Sequence, residues 1–462
     1  MPNPIELRGK RVLVVGLART GVATALFCAA RGAAVTATDK RSEAEIGEHI
    51  AELRAAGVAL SLGGHDHGIL RHHDLLVPSP GVPADAPLLL AACAMNLTIW
   101  SEIELAYRFL RGRLIGITGS NGKTTTTSLV EHILRSAGFS TILAGNIGTP
   151  LIACVEATRE ETITVAELSS FQLELIEQFR PDIAVFLNLT PDHLDRHHTL
   201  EAYAAAKARI FENQTRQDAA ILNADDPATA PYAPSQPQVF WFSRRQRVEQ
   251  GAFLSGDEIL FRHSEREEII LRRRDISLVG AHNLENVLAA VAATRLAGAE
   301  PAAIARGVKS FAGVEHRLEF VSEIAGVRYY NDSKATNVDA TMKALDAFPG
   351  RILIILGGKD KGSDYMPLQK PLREKAVLAL LIGAAAAKIE AQIAGSVAID
   401  RAETLDRAVE IAALAAQDGD VVLLAPACAS FDQFQSYEHR GRVFKELVHQ
   451  LERQAAGASL GK

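Results

Sequence analysis

Lys123 and Thr124 stand directly behind a glycine turn in the stretch from Leu114 to Leu134, LIGITGSNGKTTTTSLVEHIL. A lysine ammonium supplies a point charge to outer phosphates, and a threonine hydroxyl can hold a magnesium ion. An apolar run, Leu114 to Ile117, precedes the turn, and Leu129, Val130, Ile133 and Leu134 follow it with helical spacing. Strand, glycine turn and helix N-terminus together make an anion site, because backbone N–H groups and the positive end of the helix dipole converge there. Gly119, Ser120, Asn121, Gly122, Lys123, Thr124 and Thr125 are therefore the expected phosphate loop. The general nucleotide loop has a glycine where this chain has Ile117, so TGSNGKT is a variant of it.

Further polar residues fall where apolar runs end. Glu167 closes Ile163-Thr164-Val165-Ala166, and a carboxylate at a strand end beside a phosphate loop is a magnesium ligand in waiting. The run Ile183 to Leu189 empties into Thr190-Pro191-Asp192-His193-Leu194-Asp195-Arg196-His197, which singles out His193 as a second metal ligand. Asn146, in Gly145-Asn146-Ile147-Gly148, either orients a substrate carbonyl or satisfies its own turn. Asn283 is placed like a helix cap, yet a base's amide edge could use the same group. Lys207, four residues after Tyr203, reads on its own as a surface lysine.

The elements that must position these residues form three blocks of β-α alternation, 1–101, 102–311 and 312–462, and 462 residues suit several domains. Arg11 to Val15, a Gly16-to-Gly21 turn and a strand ending in Asp39-Lys40-Arg41 make a Rossmann-like opening. Ala18 replaces the middle glycine of the dinucleotide fingerprint, which weakens a nicotinamide-dependent oxidoreductase as the alternative. A nucleotide-bearing substrate uses the same features, with Arg19, Thr20, Asp39, Lys40 and Arg41 facing a diphosphate or uracil and Ser79 bordering the crevice.

Composition narrows the class. A net charge of −6 with no Lys/Arg-rich run argues against nucleic acid and anionic membrane as partners. The longest apolar run, Ala376 to Ala387, is too short to span a bilayer, and no secretory signal is expected after Met1. Cys28, Cys93, Cys154 and Cys428 are scattered with no C-x-x-C pair, which suits free thiols in a reducing cytoplasm; a monomer is expected.

In order along the chain, TGSNGKTTT, GNIG, ELSSFQLE, NLTPDHLDRH, YAAAKARI, AHNLEN, VEHRLE, NDSKATN and SFDQF resemble the Mur ligase superfamily over nearly the whole length. The resemblance implies an α/β fold of three domains: N-terminal Rossmann-like, central P-loop mononucleotide-binding parallel sheet, and C-terminal Rossmann-like. It implies ATP and two magnesium ions, with Thr124 and Glu167 at one and His193 at the other. Lys207 matches the lysine that the family carbamylates, which would make it an anionic magnesium ligand. Arg317 inherits contact with the nucleotide phosphates, and Asp332 contact with the ribose, beside Lys334. Thr336, Lys359, Ser430 and Tyr437 would surround the incoming amino acid, although the family often has Phe where Tyr437 stands.

Within the superfamily, SFDQF and the Rossmann-like opening are most like members that add D-glutamate to UDP-N-acetylmuramoyl-L-alanine. A Mur-type ligase of other amino-acid specificity is the nearer alternative. The implied chemistry is activation of a carboxylate by ATP, which demands cations around three phosphates. Lys123, Glu167, His193, Lys207 and Arg317 are the expected catalytic residues.

Overall fold

A computed structural model describes residues 5–360 and 362–460, without the side chains of 194, 195 and 456–460. Lys361, in the sequence GGKDKG, lies outside the described residues. Among the described residues the strands form three sheets. The first holds β1 (Arg11–Val15), β2 (Ala34–Asp39), β3 (Ala59–Leu62), β4 (Leu75–Pro78) and β5 (Thr98–Ile99) in the order β3-β2-β1-β4-β5, all parallel. β3 is a half-buried edge strand, ALSL, with no period strong enough to be read from sequence.

The second sheet comprises β6 (Arg113–Thr118), β7 (Thr141–Gly145), β8 (Ile163–Glu167), β9 (Ile183–Phe186), β10 (Ala219–Asn223), β11 (Gln238–Ser243), β12 (Gly251–Ser255), β13 (Glu258–His263) and β14 (Arg266–Arg272). Its order is β14-β13-β12-β11-β10-β9-β6-β8-β7. The expected parallel sheet runs from β7 to β12, but β13 and β14 pair antiparallel and extend one edge. β6, β8 and β9 are apolar almost throughout because both faces are covered, as in other parallel sheets. The third sheet, β15 (Glu319–Ile324), β16 (Val327–Asn331), β17 (Ile352–Gly357), β18 (Ala376–Ile382), β19 (Ala398–Glu403) and β20 (Val421–Leu424), is ordered β15-β16-β20-β17-β18-β19. Only its edge strand β15 pairs antiparallel.

The chain divides into two compact units. Met1–Ile276 with Glu285–Ser310 carries the first two sheets, and one hydrophobic core runs through both, from Val12 and Val77 to Leu114 and Phe186. Ser277–Leu284 with Phe311–Lys462 carries the third sheet, covered on its two faces by separate cores around Leu356 and Val422.

Candidate active site

Parallel pairing brings the ends of β6, β7, β8 and β9 to one edge: Ile117 registers with Glu167, Gly145 with Glu167, and Thr118 with Phe186. The phosphate loop leaves that edge after Thr118 and enters the helix Lys123–Ser136. Gly122 sits at φ +80°, and a Cβ there would lie 2.2 Å from the Asn286 Oδ1 atom, so this position admits only glycine. Asn286, which the sequence reading did not single out, also accepts a hydrogen bond from the Thr126 hydroxyl at 3.2 Å.

The loop is tied down from below by Asn188. Its carbonyl accepts from the Ser120 N–H at 2.9 Å, its Oδ1 from the Asn121 N–H at 2.8 Å, and its amide donates to the Asn121 carbonyl. The backbone donors of Ser120 and Asn121 are thereby bonded within the protein. Thr126 donates the first intrahelical bond, to Gly122, so the N–H groups from Gly122 to Thr125 project from the helix N-terminus. That end, with its partial positive charge, is where an anion fits.

Two amines meet beneath this loop. Lys123 Nζ donates to the carbonyls of Gly119 and Ser120 at 2.7 and 2.8 Å, and Lys207 Nζ donates to the same Gly119 carbonyl at 2.9 Å. Lys207 is no surface lysine. The helix Leu200–Ala208, capped by Thr199, turns Tyr203 and Lys207 inward on one face, and Lys207 is 1 % exposed. Its ammonium position lies 4.4 Å from the centre of the Tyr203 ring. Burial, reinforced by repulsion from Lys123, pushes the Lys207 amine down to about 6, against the opposing pull of Asp192 and Glu167.

Glu167 is buried, and its Oε1 accepts from the Asn146 side chain at 2.7 Å while Oε2 has no hydrogen-bond partner. A buried, unpartnered carboxylate oxygen is costly unless a cation meets it, so Glu167 suits a hard cation such as magnesium. Among the described residues no cluster of three His, Cys, Asp or Glu side chains could hold a metal ion. Asn146 orients Glu167 rather than merely closing its turn. Gly145, at φ +100°, lets that turn pass: a Cβ there would lie 2.3 Å from the Glu167 carbonyl. His193 is half-exposed at φ +52°, edge-on to Phe171 and facing the Tyr203 ring.

A cavity of about 800 Å³ opens between the first sheet and this edge. Arg19, Thr20, Asp39, Lys40, Arg41 and Ser79 line one side, Asn146 and Gln172 the other. Asp39 is spoken for: its Oδ2 accepts from the Leu17 N–H and from Arg41 Nη2, its Oδ1 from the Arg41 N–H and Nε. Burial raises its pKa, but the Arg41 and Leu17 hydrogen bonds prevail and hold it near about 2. Those four bonds make Asp39 the holder of Arg41 at the cavity wall. Ser79 likewise donates inward, to the Gly16 carbonyl at 2.7 Å.

The second unit gathers its own set. Arg317 lies between His316 at φ +65° and Leu318 at φ +41°, left-handed conformations that non-glycine residues adopt only occasionally. The Leu318 N–H donates to Asp332 Oδ1 at 3.3 Å. Burial raises the Asp332 carboxyl to about 7, although Leu318 and Arg317 draw it down. Arg440, missed in the sequence, is wholly buried and donates to the Ser333 hydroxyl and carbonyl, both at 2.9 Å, and to the Cys428 carbonyl at 3.2 Å. It joins the loop carrying Lys334 and Thr336 to the loop carrying Ser430. Lys334 Nζ lies 5.4 Å from the Tyr437 ring centre, and Lys359 is exposed. Asn283 is not a cap: it sits inside the helix Ala281–Leu296 and its amide donates to the Val279 carbonyl at 2.7 Å.

Three family descriptions match: the N-terminal domain of the MurD-like Mur ligases over 10–101, the Mur ligase middle domain over 117–294, and the Mur ligase glutamate ligase domain over 316–428. A UDP-N-acetylmuramoylalanine--D-glutamate ligase of Koribacter versatilis is 54 % identical over 451 residues, 97 % of this chain and 99 % of that protein. The enzyme of the same name from Acidobacterium capsulatum is 54 % identical over 447 residues, covering 96 % and 97 %. Among solved structures, the MurF ligase of Thermotoga maritima in complex with ADP shares the fold, with TM-score 0.59, 17 % identity and coverage of 97 % and 98 %.

Proposed function

The chain belongs to the Mur ligase family, and on that premise we propose that it joins D-glutamate to UDP-N-acetylmuramoyl-L-alanine at the expense of ATP. The observation that carries this reading is the meeting of Lys123, Lys207 and Glu167 under one phosphate loop, beside a cavity rimmed with Arg19, Lys40 and Arg41. The three domains are taken as 1–101 for the muramoyl nucleotide, 102–311 for ATP and 312–462 for the amino acid, in a cytoplasmic monomer.

The nucleotide substrate's carboxylate attacks the γ-phosphorus of ATP; an O–P bond forms, the bond to the β-phosphate oxygen breaks, and ADP leaves. The uncharged amine of D-glutamate then attacks the acyl carbon, C–N forms, phosphate departs with the C–O bond pair, and the amine's proton is lost. Lys123 and the N-terminus of the helix Lys123–Ser136 stabilise charge on the transferring phosphoryl group. Arg317 serves the phosphates and Asp332 the ribose, while Asn283 is left for the adenine edge. Lys334, Thr336, Lys359, Ser430 and Tyr437 receive the amino acid.

Magnesium, when bound by Thr124 and Glu167 and, at a second position, by His193 and a carbamylated Lys207, would neutralise phosphate and acyl oxygens. The neutral Lys207 amine is the form that reacts with carbon dioxide, and its burial favours that form. Ala18, standing where the dinucleotide fingerprint has its middle glycine, disfavours the oxidoreductase alternative.

Phosphate release from ATP, measured with UDP-N-acetylmuramoyl-L-alanine and a panel of amino acids, tests the reading. Release requiring both the nucleotide and D-glutamate supports it. Release with another amino acid keeps the mechanism and discards the specificity.

A further inference from the structure

Arg196 follows His193 in the short helix Leu194–His197, and its own N–H closes onto the His193 carbonyl at 3.1 Å. Its guanidinium reaches across to the first sheet. Nη1 donates to the Pro80 carbonyl at 2.7 Å, and Nη2 donates to the Val82 carbonyl at 3.2 Å and to Glu174 Oε2 at 2.7 Å. Its Cζ lies 4.0 Å from the centre of the Phe171 ring. Pro80 and Val82 form a lip of the 800 Å³ cavity, next to Ser79. Glu174 holds a second member of the same turn, with Oε1 3.5 Å from His197 Nδ1.

We propose that Arg196 is a positioning residue that clamps the cavity lip, Pro80 to Val82, to the turn bearing His193, so that a bound nucleotide's acyl end is presented in register with His193. The proposal rests on the functional reading above for what the cavity binds, but the clamp itself is geometry. A side chain doing this must serve two backbone carbonyls and a carboxylate in different directions while stacking on an aromatic face. Only a planar guanidinium offers that combination; a lysine ammonium has too few fixed donors and no face to stack. The acceptors on the lip are carbonyls, so the lip can vary in side chains while the clamp persists. The side-chain hydrogen bonds and ring contact of Arg196 go to Pro80, Val82, Glu174 and Phe171, which predicts selectivity: loosening it disturbs the nucleotide cavity and the His193 turn and leaves ATP binding alone.

Two readouts on the full-length chain test this, with Arg196→Lys and Arg196→Met as variants. The first is hydrogen exchange with no ligand present. Both variants are expected to speed exchange at Gly81, Val82 and the 193–197 turn, and to leave 119–125 at the wild-type rate. Unchanged exchange at Gly81 and Val82 overturns the clamp, whatever the enzyme's substrate proves to be.

The second is steady-state kinetics. Arg196→Lys is expected to lower kcat/KM for UDP-N-acetylmuramoyl-L-alanine by about tenfold or more, with KM for ATP within about twofold of wild type, since small misplacements of reacting groups are costly. Equal losses for both substrates would mark a general structural defect and reject the positioning role. If faster exchange at the lip is seen while the wild-type chain itself ignores the muramoyl nucleotide, the clamp stands and the substrate assignment falls.

Discussion

Lys207 is expected to take up carbon dioxide at neutral pH as no ordinary lysine does. Its amine is down at about 6 against an ordinary 10.5, chiefly through burial and secondly through Lys123. At pH 7 about 90 % of an amine with pKa 6 is uncharged, against about 0.03 % for an unperturbed lysine, a gain of roughly 3,000-fold in the reactive form. The neutral nitrogen bonds to the carbon of carbon dioxide, one proton leaves for solvent, and a carbamate anion replaces a suppressed cation. The assay is carbon-13 NMR of the full chain under labelled carbon dioxide at fixed pressure, from pH 5 to 9, with Lys207→Met subtracted to remove the α-amine and surface lysines.

A carbamate signal lost in Lys207→Met and already strong at pH 7 is the expected result. A Lys207-dependent signal that is absent at pH 7 and emerges only at the top of that range, at about pH 9, as for an unperturbed amine, would overturn the assigned burial shift. The same shift has a stability consequence of definite sign. Because the folded-state value is the lower one, folding expels a proton between pH 6 and 10.5, and this cost grows as pH falls through that window. At about 1.4 kcal/mol per pH unit it reaches at most about 5 kcal/mol at pH 7. Lys207→Met should therefore unfold at higher temperature than wild type at pH 7, with a smaller margin at pH 9, while losing ligase activity. A variant less stable than wild type at pH 7 would also count against the assigned burial cost.

Lys123→Ala should lower kcat by about 10²- to 10³-fold, the usual scale for one preorganised electrostatic group, with the muramoyl nucleotide's Kd unchanged by calorimetry. Asp39→Asn, which loosens Arg41, should weaken the same Kd by about tenfold, on the scale of a lost charge-assisted hydrogen bond; an unchanged Kd would remove both Asp39 and Arg41 from the nucleotide's contacts. Asp332 titrates near about 7 through burial, and its charged form is the better acceptor for ribose hydroxyls. KM for ATP should accordingly fall as pH rises from 6 to 8, and Asp332→Asn should flatten that profile. The amine substrate must itself be uncharged, so the profile is to be read at saturating D-glutamate.

The groups that meet ligand were legible because their chemistry is local. Strand, glycine turn, Lys123 and Thr124 are consecutive, and Glu167 sits where an apolar run stops, so the parallel sheet had only one edge on which to gather them. Lys207 was legible as a matching motif but not as a buried amine, since nothing in YAAAKARI says which helical face turns inward. Asp39 was legible as an acidic residue at the end of a second strand but not as the anchor of Arg41, which only the bonds from Arg41 and Leu17 show.

What escaped the sequence shares a physical character. Arg196, Arg440 and Asn188 spend most of their hydrogen bonds on backbone groups distant in the chain, at Pro80 and Val82, at Ser333 and Cys428, and at Ser120 and Asn121. A carbonyl carries no residue identity, so such a bond leaves no pairing pattern, no spacing and no charge complement to detect. Side chains that touch substrate are constrained by the substrate's chemistry and advertise it; side chains that hold those groups are constrained by the path of the backbone. It follows that conservative replacement should be tolerated unevenly. A lysine substituted at Arg196 or Arg440 keeps the charge and loses the fork, and the fork is what two carbonyls in different directions require.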